Sequence, residues 1–171
     1  MYLQTTYECI SYLDPMIGSQ GGIHMDRTPH LPGWRVLGML YSDKAGVVYE
    51  ICQEHDPAVR ASLKVISIPS SSADIHKQLE KGCTRESLHK FYLDQAKNIT
   101  DELSLLKRMQ EEGAIVGCEE IRAVPHPEGV GCQLLIRSPL LMSLPEYAAQ
   151  HPLSRDDLLY LGLDICDALD M

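Results

Sequence analysis

Hydrophobic and polar positions divide the chain into two regimes. Between residues 33 and 66 the apolar residues come in short runs, "GWRVLGML", "AGVVYEIC" and "ASLKVI", rich in β-branched and aromatic side chains. The turn-forming strings "YSDKAG" and "EHDPA" separate them, so the pattern predicts three strands joined as an antiparallel meander. After "IPSSSAD" the period lengthens. Leu88, Tyr92, Ala96, Ile99, Leu103, Leu106 and Met109 recur at three- and four-residue steps, the stripe of one long amphipathic helix. Thr84 is placed to cap its start and Gly113 to stop it, and Ala73–Lys81 predicts a short helix ahead of it. "CEEIRAV", the turn "PHPEGVG" and "CQLLIR" predict a second hairpin. "SPLLMSLPEYAAQHP" holds a connector and a short helix. "LSRDDLLYLGLDICDALDM" holds a stronger one, with Ser154 as cap, Asp157 three residues on, and a stripe of Leu158, Leu161, Ile165 and Leu169. This order predicts an α+β fold, a five-stranded antiparallel sheet packed on one long helix and followed by two more. Ahead of it, Tyr2–Leu13 has helical character and Gly18–Pro32 reads as a linker.

Composition narrows the function classes. The chain has 171 residues, 44% hydrophobic and 23% charged, with a formal net charge of −9, which fits an ordinary soluble protein of one domain, or of one domain with an appendage. No basic block favours nucleic acid or an anionic membrane surface, and no apolar run reaches the length of a membrane span. The N-terminus lacks a signal-peptide pattern. The six cysteines are scattered without C-x-x-C spacing, which predicts reduced packing thiols in a cytoplasmic protein. The histidines show no zinc-binding spacing; His24 and His30 fall in loop, and no metal site is expected.

One charged residue interrupts an apolar strand. In "RASLKVISIPS", Ser62, Lys64 and Ile66 share one face, and Ala61, Leu63 and Val65 the other. Lys64 therefore projects away from the Leu63 side, toward a cleft where its ammonium calls for an anion. The long helix offers Glu102, at the edge of the apolar stripe. Taken singly, Lys64 also reads as an edge-strand lysine and Glu102 as a solvated helix residue.

Taken together in this order, the elements resemble the N-terminal lobe of a eukaryotic-type Ser/Thr protein kinase. Ala61-Ser62-Leu63-Lys64 looks like that family's V-A-I-K strand, and Ile99 to Leu106 looks like its helix C. "IRSPLLMSLPEYAAQHPLSRDDLLYLGLDICDALDM" looks like the last strand, the hinge, helix D and most of helix E. The long spacer after the third strand is similar to that of a bacterial subgroup with an elongated helix C. The resemblance spans roughly Trp34 to Met171. It implies an extension and linker over 1–33, an N-lobe over 34–137, and a hinge with the first helices of a C-lobe over 138–171. It implies that Lys64 holds the α- and β-phosphates of ATP and that Glu102 orients Lys64. It further implies that Val48 and Ser62 roof the base, that Ser138 is the gatekeeper, and that the Pro139 carbonyl and Leu141 N–H face the base.

The sequence departs from the family at two places. Of the three glycine positions in the phosphate-covering loop, the first two fall on Tyr41 and Asp43 and only Gly46 remains. Asp43 would set a carboxylate near a triphosphate, which weakens the expectation of ATP binding. The catalytic H-R-D-x-x-x-x-N and metal-binding D-F-G segments are not in this sequence, so Mg²⁺ is not expected to be held here and the chain alone is expected to be inactive. Two readings follow. In one the chain is an incomplete Ser/Thr kinase domain whose catalytic half lies elsewhere. In the other it is a pseudokinase-like module that binds a protein partner. In both, the stripe of the last helix lacks cover, so a homodimer through that helix, or aggregation, is expected unless the missing C-lobe covers it.

Overall fold

The computed structural model describes residues 29–111 and 117–169. The expected helix over Tyr2–Leu13, most of the linker, His24 and the stop at Gly113 lie outside the described residues, as does the Met109 side chain. The remaining elements are β1 (Trp34–Asp43), β2 (Gly46–Gln53), β3 (Arg60–Ile68), α1 (Ser72–Glu80), α2 (Arg85–Glu111), β4 (Glu120–Pro125), β5 (Cys132–Pro139), α3 (Leu144–Gln150) and α4 (Arg155–Leu169). The five strands form one antiparallel sheet in the order β1-β2-β3-β5-β4, with β3 in the centre. This is the α+β arrangement that the sequence predicts.

Local chemistry sets the boundaries. The β1–β2 hairpin closes through Lys44-Ala45, with Asp43 opposite Gly46. Thr84 caps α2, its hydroxyl accepting from the Ser87 N–H at 3.2 Å. Ser71 caps α1 in the same way. Ser154 and Asp157 form the expected reciprocal cap of α4, and Ser143 with Glu146 forms another on α3. Pro125 ends β4, an edge strand, where a missing N–H is tolerated.

Alternation in the strands builds a core on each side of the sheet. On the α2 side, Ile68, Cys132 and Leu134 meet Ile75 of α1 and Leu88, Tyr92, Leu93 and Ala96 of α2. Thr100 is buried at the end of this stripe, its hydroxyl donating to the Ala96 carbonyl at 2.9 Å. On the outer side, Ile51, Ala61, Leu63, Val65 and Leu135 pack with Leu31, which is 2% exposed. The linker reading is therefore corrected at its end. Leu31 bridges to Trp34 and enters the outer core, because alternation along β2 and β3 presents an apolar row there that must be covered. Helices α3 and α4 bury no side chain.

Candidate functional site

The site is built on β3. Its partners set Val48 of β2 and Ile136 of β5 on either side of Lys64. Both neighbours are buried, at 5% and 6% exposure, while Lys64 is half-buried. Lys64 shares its face with Ile66, which packs against the α2-side core, so the lysine stands on the side of the sheet that carries α2. One step along the same face, the Ser62 hydroxyl reaches the carbonyls of Ser138 (3.2 Å) and Pro139 (3.4 Å). The carbonyl expected to face a base thus already has a donor beside it, although a carbonyl has a second lone pair to offer. Leu141 is 61% exposed at the start of the connector to α3.

The expected ion pair does not form. Among the described residues, ion pairs join Arg60 to Glu50, Arg122 to Glu120, and Arg137 to Glu119 and Glu120; none joins Lys64 to Glu102. Glu102 is exposed. The cause is helical phase. The buried stripe of α2 passes through Leu88, Tyr92, Ala96 and Thr100, and two residues past Thr100 a helix has turned by about 200°. Leu105 and Leu106, beyond it, are also exposed. The C-terminal part of α2 therefore carries apolar residues that the sheet does not cover.

At the hairpin tip, Gly46 has a reason of its own. Its φ is +139°, and a Cβ there would lie 2.3 Å from the Val65 carbonyl oxygen. Close approach of two backbones demands glycine whether or not a phosphate is bound. Asp43 accepts from the Ala45 N–H at 2.8 Å, so its carboxylate occupies a backbone donor that a phosphate would use. Tyr41 is exposed. A cavity of about 290 Å³ lies beside this tip, lined by Asp43, Lys44, Val65, Ser67 and Gln133 among others, and Lys64 does not line it. The cavity therefore lies apart from the lysine and its row.

Two features escaped the sequence. Arg137 stacks over Trp34 at 4.7 Å while pairing with Glu119 and Glu120, which pins β5 to both ends of the outer face. Alternation in "CEEIRAV" and "CQLLIR" sets Glu120 and Arg137 opposite each other, and that was the signal available. The second is a pair of buried histidines, His89 and His126, at the β4–β5 turn. Among the cysteines, burial pushes the Cys132 thiol up to about 12 and raises Cys118, which leaves both as protonated packing groups. Among the described residues no three His, Cys, Asp or Glu side chains are grouped to hold a metal ion, and no helix is long and apolar enough to cross a membrane.

No protein-family model matches the chain, and no curated protein matches it with significance. Among solved structures it is similar to the kinase domain of PknI from Mycobacterium tuberculosis. A double-mutant form of that domain is 15% identical with a TM-score of 0.39, over 86% of this chain and 50% of that one. A second crystal structure of the domain is 16% identical with a TM-score of 0.37, over 81% and 47%. The chain spans about half the length of the structures it matches. Similarity at this level says nothing of chemistry, which rests on the residues described above.

Proposed function

We propose that this chain is the N-terminal part of a Ser/Thr protein kinase-like domain, contributing half of an ATP cleft and transferring no phosphate by itself. The observation that carries the reading is the Val48–Lys64–Ile136 row: one cation on the central strand, between two buried apolar side chains, on the side facing the long helix. In that position an ammonium held by a rigid strand would bind the α- and β-phosphates. Val48 and Ser62 would cover the base, and the Pro139 carbonyl and Leu141 N–H would read its edge beside the gatekeeper Ser138. Glu102 would meet Lys64 only after the C-terminal part of α2 turns toward the sheet, a movement that would also cover Leu105 and Leu106. Acceptor activation and Mg²⁺ binding would come from a segment not in this sequence. The protein would act in the cytoplasm.

A second reading, a pseudokinase-like interaction module with weak or no ATP binding, is favoured by the absence, among the described residues, of an ion pair between Lys64 and Glu102 and by the Asp43 carboxylate at the hairpin tip. Calorimetric titration with ATP, with and without Mg²⁺, on the native chain and on Lys64→Ala separates the two. The first reading expects binding that the substitution weakens at least about tenfold, or 1.4 kcal/mol. Absence of binding by the native chain supports the module. Binding indifferent to the substitution removes the role given to Lys64.

A further inference from the structure

The six residues from His126 to Gly131 turn β4 into β5, and this turn is held by two imidazole acceptors. His126 Nδ1 accepts the Glu128 N–H at 3.1 Å from within the turn. His89 Nδ1, on the first turns of α2, accepts the Gly131 N–H at 3.0 Å. Both rings are buried, at 9% and 7% exposure. An imidazole accepts only through an unprotonated nitrogen, so each bond requires a neutral ring with its proton on Nε2. Among the described residues the Nε2 of His89 has no hydrogen-bond partner, and its ring is held through Nδ1. The end of the turn also lies close against β3: Gly131 sits at φ +80°, and a Cβ there would lie 1.9 Å from the Ile68 carbonyl oxygen. The same turn meets both helices, since Ser72 Oγ donates to Glu128 Oε1 (3.2 Å) and Arg85 Nη1 to the Glu128 carbonyl (3.5 Å).

We propose that His89 and His126 form an acid-released latch, which holds the β4–β5 turn against α1 and the start of α2 and lets it go when the rings take up protons. An imidazolium has no acceptor, so protonated Nδ1 would point a hydrogen at the N–H it now binds. The two bonds share one turn, so loss of either strains the other. The charged and titratable groups near the latch are Glu128 in the turn, which acts on His126, Arg85 of α2, which bonds the Glu128 carbonyl, Cys132, next in sequence to Gly131, and Tyr92, three residues past His89 on α2, with Asp74 and Cys83 acting on Tyr92. The Glu128 carboxylate favours a charged His126, as does the Pro69 carbonyl, but burial outweighs both and holds that ring below the usual histidine range. The sign follows. The neutral ring belongs to the closed turn, so the His126 bond is fully made above the ordinary histidine pKa, about 6.5, and is lost as pH falls through that ring's depressed value, whereas His89 enters through geometry alone, its bond needing an unprotonated Nδ1.

Deuterium exchange of the native chain, followed by NMR at about pH 7.5 and 5 and corrected for intrinsic exchange, tests the latch. A ring that accepts only when neutral can shift opening by up to about thirtyfold across that interval. The expected result is at least about a tenfold loss of protection at the Glu128 and Gly131 amides relative to Leu63 in β3, in step with protonation of the two rings seen by their ¹⁵N shifts. A chain carrying His89→Asn and His126→Asn keeps an acceptor at each place but cannot titrate, and is expected to show no such acid loss. The proposal is overturned if the native amides stay protected, if they exchange while the rings remain neutral, or if the double variant opens in acid as the native chain does. The native arm decides alone should that variant not fold.

Discussion

A single glycine separates two explanations of the hairpin tip. Gly46→Ala would force a Cβ into the Val65 carbonyl at a φ that side chains avoid, so it is expected to lower stability by more than about 1 kcal/mol, measured by urea denaturation without any nucleotide present. A loss seen only as weaker nucleotide binding, with unfolding unchanged, would return the residue to a phosphate-binding role. Residue-level legibility was uneven for physical reasons. The face of Lys64 was readable because a strand repeats every two residues, and Ala61, Leu63 and Val65 are buried as alternation requires. The failed contact at Glu102 was missed because a stripe drawn through Ile99, Leu103 and Leu106 sets that residue at its edge, whereas the buried phase runs through Leu88, Tyr92, Ala96 and Thr100 and leaves Leu105 and Leu106 exposed. His89 and Gly131 were silent as well, since they are 42 positions apart and only the fold brings them together.

The elements themselves were largely written in their ends. Thr84, Ser143 and Ser154 each bond the N–H three residues on, and the helices begin where these hydroxyls are. Thr84→Ala is expected to cost about 1 kcal/mol, read as a lower urea midpoint at unchanged slope. An unchanged midpoint would mean that α2 starts without its cap. Strand ends ran one to three residues beyond the apolar runs at several places, notably β1 to Asp43 and β5 to Pro139, because ladder pairing with a neighbour extends a strand past its own hydrophobic pattern. Three of the four stripe residues of α4, Leu158, Ile165 and Leu169, are at 50% exposure or more, while Leu161 is half-buried.

For the whole molecule, the balance lies between an uncovered apolar helix and a net charge of −9. Self-association through α4 should therefore strengthen with salt, as repulsion between copies is screened while apolar burial is not. Analytical ultracentrifugation at low and high ionic strength checks this, and a monomer at both would show that α4 is covered or too small a patch to pair. The outer core was the least legible feature at this scale. Leu31 sits in a stretch whose glycines and prolines read as linker, and only the demand of the far face of the sheet explains its burial.

The register of β1 breaks twice, between Val36 and Gly38 and between Met39 and Tyr41. Such kinks spoil the outermost edge as a template for another extended segment, even though Leu37, Met39, Leu40 and Tyr41 are solvent-facing there. Clumping of this polypeptide, when it occurs, should consequently be helical and reversible by dilution, leaving thioflavin dark and no seeds for fibrils.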